Sequence, residues 1–173
     1  MESKEFASVV FDIDGTLTPE TSWFVLTEGL GASSEEHRRI FQALGKGELS
    51  LEVAQQELLT LWQQTGNANK PFIRSLFETQ VLHLESQEII DYIKGRGYLV
   101  CLISGSADLY TEVMAERLGV DFHFSNTELV WDEQGNLVDF HYDPKQAEKK
   151  LEQLQAFLEE QGVSSDRCVV VGG

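Results

Sequence analysis

Short, uninterrupted apolar runs recur at residues 9–11, 98–103 and 168–171, each closed by glycine or by small polar residues. Runs this short and rich in β-branched residues read as strands buried on both faces of a parallel sheet. Everything between the first two runs has helical spacing. Trp23, Phe24, Leu26 and Leu30 mark a helix over 21–30 that stops at Gly31, and Ser33 with Glu36 forms a capping box opening a second helix through residue 44. Ser50 starts a third, with Leu51, Ala54, Leu58, Leu61 and Trp62 on one face and Gly66 as its stop. Pro71 is placed as the first residue of a fourth.

The second half alternates. Ser86 opens a helix carrying Ile89, Ile90 and Ile93, the strand at 98–103 ends in Ser104-Gly105-Ser106, and a helix over 108–118 stops at Gly119. A short strand at 121–125 precedes two runs, 127–131 and 137–141, that flank DEQGN as a β-hairpin. A long helix over 144–161 turns Leu151, Leu154 and Leu158 inward before the last strand. Strand, helix, strand, helix, strand predicts an α/β fold with a doubly wound parallel sheet. Its core is formed by residues 1–18 and 85–173, and the helices of 19–84 are a cap inserted after the first strand. Trp23 and Trp62 are read as that insert's own core rather than as a ligand cluster.

Composition narrows the class. With 173 residues, 42% of them hydrophobic and three prolines, the chain is globular. A net charge of −16 without a Lys/Arg cluster excludes nucleic acid as a partner. Cys101 and Cys168 lie in apolar runs and read as free thiols of a reducing compartment. No stretch has membrane-spanning length and MESKEF has no apolar signal core, so the expectation is a cytoplasmic protein with no membrane partner. His37, His83, His123 and His141 show no metal-ligand spacing.

The candidate chemistry sits where the first strand ends, in SVVFDIDGTLT. Asp12 and Asp14 flank Ile13, and Gly15 breaks the strand, so two carboxylates stand at the sheet edge where open α/β folds bind ligands. Like charges this close favour one ionised acid and one that holds its proton, a pairing that supplies a nucleophile and a proton donor. Capping of a turn is the plain alternative for the pair. Ser104 ends the second strand as the aspartates end the first, which brings both to one edge. Its hydroxyl, the Gly105 amide and the start of the next helix suit an anion, although a simple turn has the same composition.

FDIDGTLT resembles the first signature of the haloacid dehalogenase-like superfamily, and the surrounding chain is similar to its phosphoserine phosphatase branch. The resemblance implies a Rossmann-like core, Asp12 as phosphoryl-accepting nucleophile and Asp14 as general acid and base. It further implies phosphate binding by Asp12, Gly15, Thr16, Ser104 and Gly105, and a lysine that offsets phosphoryl charge. Of Lys145, Lys149 and Lys150, spacing to Gly162 and VVVG favours Lys150, with Lys149 second. Mg²⁺ is the implied cofactor, with Asp12 and the Asp14 carbonyl as its first ligands. The expected function is Mg²⁺-dependent hydrolysis of a small phosphorylated metabolite through an aspartyl-phosphate, with the cap closing over the site.

Two departures from the family pattern bear on this. The fourth signature supplies further acids after a strand like CVVVG, whereas here Gly172 and Gly173 follow. That predicts a polypeptide whose remaining metal ligands lie past residue 173, and weakened metal binding without them. The places of a cap Glu and Arg that would hold phosphoserine fall near Thr21, with Glu20 beside it, and on Gln56, which disfavours phosphoserine itself. The competing reading is a catalytically degenerate relative that binds a phosphorylated ligand or partner without turnover. A phospho-acceptor receiver domain also clusters acids and a lysine, but the helical insert after the first strand argues against it.

Overall fold

Alternation along the central strands sends apolar side chains to both sides of a sheet, so both sides need helices over them. The computed structural model describes residues 6–172. Its strands are β1 (Ser8–Phe11), β2 (Leu99–Ala107), β3 (Phe122–Trp131), β4 (Leu137–Tyr142) and β5 (Cys168–Val171). Its helices are α1 (Ser22–Gly29), α2 (Ser34–Gly45), α3 (Leu51–Gln63), α4 (Lys70–Glu78), α5 (Ser86–Gly95), α6 (Asp108–Leu118) and α7 (Gln146–Gln161). The strands form one sheet in the order β4-β3-β2-β1-β5. β1 is parallel to β2 and to β5, β2 is parallel to β3, and only β4 runs antiparallel.

Val9, Phe11, Val100 and Leu102 face one layer, with Ile90 of α5 and Tyr110, Val113 and Met114 of α6. Val10, Cys101 and Ile103 face the other, against Phe157 and Leu158 of α7. The chain leaves β1 toward β2 through the first layer and returns to β5 through the second. β1 is therefore the point where the winding reverses, the place in such sheets where a ligand crevice opens.

The helices between β1 and β2 bury their apolar faces in the same cluster as the first layer. On one side, Arg74 of α4 reaches Glu112 and Glu116 of α6, and Arg117 donates to the carbonyls of Phe77 and Gln80 at 3.1 and 2.9 Å. On the other, the amides of Gln55 and Gln63 donate to Phe140 O and Leu137 O of β4, each at 2.9 Å. The insert thus bridges α6 and the β3–β4 hairpin. Trp62 is fully buried, and Trp23 stacks on it at 6.0 Å.

Two strand boundaries and one helix face differ from expectation. β2 does not end at Ile103 but continues to Ala107, because a bulge accommodates one extra residue between Ser104 and Ala107 opposite Ser125 to Thr127. The two runs expected at 121–125 and 127–131 merge into one strand, β3, which starts at Phe122; its first half pairs with β2 and its second reaches past β2 to pair with β4. In α7 the inward face is Gln153, Leu154, Phe157 and Leu158, whereas Leu151 is 54% exposed at the edge of a cleft. Cys101 and Cys168 are both free thiols, and β1 lies between their strands. Burial, and then the neighbouring Cys168, push the Cys101 thiol up to about 12.

His37 is fully buried in the insert, between the rings of Phe24 and Phe41. The Thr27 hydroxyl donates to Trp23 O and accepts from Trp62 Nε1, so His37 Nδ1, 2.6 Å away, must be the donor to it. Nε2 then has no partner. Burial, followed by the charge of Arg38, lowers the His37 pKa from 6.5 to about 4. The unfolded chain takes up a proton below pH 6.5 that the folded chain refuses, so this contribution is complete above that pH and lost as pH falls toward 4. Between pH 8 and pH 5 wild type should lose about 2 kcal/mol more stability than His37→Gln in urea titrations. Equal losses would show that His37 does not carry the effect.

Candidate active site

β1 ends at Phe11, and the turn after it is organised around one carbonyl. The N–H groups of Thr16, Leu17 and Thr18 donate to Ile13 O at 3.0, 2.9 and 3.2 Å. Gly15 makes this possible with φ +74°, a left-handed conformation that costs other residues about 1–2 kcal/mol. Ile13 is buried beneath, which fixes Asp12 and Asp14 on the carboxyl side of the sheet. Asp12 N donates to Val171 O at 2.9 Å, and Gly172 lies so close that a Cβ there would sit 3.1 Å from Asp12 Cβ. A side chain at position 172 would therefore press on Asp12.

The two aspartates have different surroundings. Asp12 Oδ1 accepts from Ile13 N at 2.8 Å, and its Oδ2 is 2.9 Å from Lys150 Nζ, which arrives from the first turns of α7. Both side chains keep some exposure in a cleft lined also by Ile103, Leu154 and Gly172. Of the other candidate lysines, Lys145 faces Glu148 and Lys149 faces Glu152. Asp14 turns inward instead. Its Oδ2 is 2.7 Å from the hydroxyls of Ser22 and of Ser106, which are 2.7 Å from each other. Asp14 Oδ1 is buried without a partner. The buried Tyr110 phenol faces the pair from α6, and burial followed by the charge of Asp14 pushes its pKa far above the usual value.

Ser104 is fully buried, and its Oγ accepts from Ser106 N at 3.2 Å inside the bulge. Gly105 packs against Gln146, where a Cβ would meet Oε1 at 2.5 Å. Its carbonyl accepts from Thr127 Oγ1 at 3.2 Å. The helix after this turn starts at Asp108, as expected, and Asp108 Oδ1 accepts from Leu109 N and Leu129 N at 2.8 and 3.1 Å. Asp12, Asp14 and Lys150 thus meet at one sheet edge, with Ser104 and Gly105 tied in through Ser106, and Gly15 and Thr16 shape the turn beside them.

Two expected positions lie elsewhere. Gln56 is exposed on α3 in a groove with Glu36 and Arg39, and Glu20 and Thr21 line a separate cleft with Arg38 and Gln80. The residues that linear reading missed are Ser22, Ser106 and Tyr110. Ser106 stands within the SGS motif and follows from it once the strand is known to continue; Ser22 and Tyr110 carry no signal of their own.

Among the described residues no three His, Cys, Asp or Glu side chains group as a metal site. Mg²⁺, however, is held by one or two carboxylates with waters and a substrate phosphate. Asp12, whose carboxylate borders the cleft, fits that requirement together with the Asp14 carbonyl two residues on. Gly173, the first position at which the family pattern places a further acid, lies outside the described residues.

Residues 9–172 match the family model of haloacid dehalogenase-like hydrolases. Phosphoserine phosphatase of Methanocaldococcus jannaschii is 26% identical over 99% of this chain and 79% of its own length. The enzyme of that name from Archaeoglobus fulgidus is 23% identical over 98% of this chain, which spans 48% of it. A structure described as a phospho-aspartyl intermediate analogue of phosphoserine phosphatase superposes with a TM-score of 0.74 at 22% identity, covering 98% of this chain and 78% of that one. At that identity the superposition speaks for the fold alone. The chain belongs to the haloacid dehalogenase-like hydrolase family, and within it is similar to phosphoserine phosphatases.

Proposed function

We propose that this protein is a phosphatase that hydrolyses a small phosphomonoester by double displacement. The observation that carries the reading is the contrast between Asp12, open to the cleft beside an ammonium group, and Asp14, enclosed by hydroxyls. Asp12 attacks phosphorus and the ester oxygen leaves with a proton from Asp14. Asp14 then takes a proton from water, which hydrolyses the aspartyl-phosphate and frees Asp12. Lys150 Nζ offsets charge on the phosphoryl oxygens. Mg²⁺, held by Asp12 and Asp14, would supply further charge neutralisation when bound. Acid quenching during turnover of radiolabelled p-nitrophenyl phosphate should leave phosphate on a peptide containing Asp12. Turnover without any trapped label would replace the covalent route with direct attack by water.

Ser22 and Ser106 are positioning residues in this scheme, since they touch Asp14 rather than the phosphoryl group. Ser22→Ala should lower kcat roughly 10–100-fold, the scale of a small misplacement of a reacting group, with KM little changed. Ser22→Thr, which keeps the hydroxyl, should restore most of it. A loss confined to KM, or no rescue, would assign Ser22 a purely structural part.

A further inference from the structure

We infer that Asn126, Gln146 and Gln153 are positioning residues for Lys150, a row of amides that seats the first turns of α7 where the ammonium reaches Asp12; this rests on the phosphomonoesterase reading, in which Lys150 meets the phosphoryl group.

Gln146, Lys150 and Gln153 follow one another at spacings of four and three, which puts them on one face of α7. The two glutamines bracket the lysine, and both are tied to β3. Asn126 Nδ2 donates to Gln146 Oε1 at 2.9 Å, and Gln153 Nε2 donates to Ser125 O at 2.8 Å. Gln146 Nε2 donates in turn to Asp143 O at 2.5 Å, and Asp143 N donates to Asn126 O at 3.3 Å, which fixes the chain entering the helix. Gly105 makes room for this contact, since a Cβ there would lie 2.5 Å from Gln146 Oε1.

Apolar packing does not hold this half of the helix. Leu154, Phe157 and Leu158 anchor the second half in a cluster with Cys101 and Ile103 of β2. N-terminal to them, Ala147 and Leu151 are exposed. Lys150 also has an offset to bridge. α7 lies mainly over β2 and β3, whereas Asp12 follows β1, one strand spacing of about 4.8 Å beyond β2. The lysine stem therefore has little slack for a displaced helix. Nor does stability account for the amides. Asn126 Oδ1 and Gln153 Oε1 are buried without partners, a cost that apolar side chains of the same shape would avoid.

The test is a pair of double-mutant cycles on the full chain with Mg²⁺. Gln153→Met and Asn126→Leu are near-isosteric and each removes one of the unpartnered oxygens. Both are made alone and in a Lys150→Met background, and are read by kcat/KM for p-nitrophenyl phosphate, calorimetric Kd of inorganic phosphate and urea midpoint. Each alone should lower kcat/KM roughly tenfold, the scale of a small misplacement of a reacting group, with a urea midpoint close to that of wild type. In the Lys150→Met background the same changes should alter it less than about twofold. Equal losses in both backgrounds, no loss in either, or losses that come with lowered midpoints in both variants overturn the inference while the phosphatase reading stands. If wild type hydrolyses nothing, the phosphatase reading falls and phosphate affinity decides. Weakening by both changes only where Lys150 is present upholds the positioning role, and any other pattern overturns it.

Discussion

Asp12→Asn should abolish turnover of p-nitrophenyl phosphate, lowering kcat by roughly four orders of magnitude or more. The amide has the shape of the carboxylate and can still accept from Ile13 N, but it cannot form an acyl phosphate. The change also deprives Lys150 of the oxygen 2.9 Å from its ammonium. That pair is partly exposed, so its loss should cost less than about 1 kcal/mol of stability and the variant should fold. Activity and fold are thereby separated: urea midpoints near wild type with turnover gone identify a chemical role. Residual activity within tenfold of wild type would remove Asp12 as the nucleophile, and the double-displacement scheme with it.

Trp62→Ala should be the most damaging change to stability, at about 3–5 kcal/mol. The side chain is fully buried, stacks on Trp23 at 6.0 Å and packs on Phe140 of β4 at 5.2 Å. Its Nε1 donates to Thr27 Oγ1 at 2.8 Å, the oxygen that His37 also uses. Truncation therefore opens a void where the insert meets the hairpin and removes one donor from a buried hydroxyl. Trp62→Phe keeps one aromatic ring but loses the donor and part of the indole's volume, so it should cost less, about 1–3 kcal/mol. Equal effects of the two variants in chemical denaturation would show that the hydrogen bond, not packing, governs this junction.

Much of the architecture is legible in local pattern. Ser33 and Ser50 cap α2 and α3 as their spacing suggests, accepting from Glu36 N and Val53 N. Asp132 organises the hairpin turn by accepting from Gln134 N and Asn136 N. Errors arise where a residue's state depends on a remote partner. Leu151 has the periodicity of a core position, yet α7 turns it to the cleft because the sheet offers its apolar surface to Phe157 and Leu158. The break expected at Asn126 is absent because Gln146, twenty residues on, takes up its amide.

The linear chain determined the strand that carries Asp12 and Asp14, the glycine that ends it and the helical character of the insert after it, because these rest on steric and hydrogen-bonding preferences of near neighbours. Folding alone decided which lysine faces Asp12 and which hydroxyls enclose Asp14. Apart from Ser22, eight positions from Asp14, those contacts join residues 92 and 138 positions apart. They exist only because β1 lies between β2 and β5 and the hairpin overhangs the sheet edge, so sequence spacing has no means of expressing them.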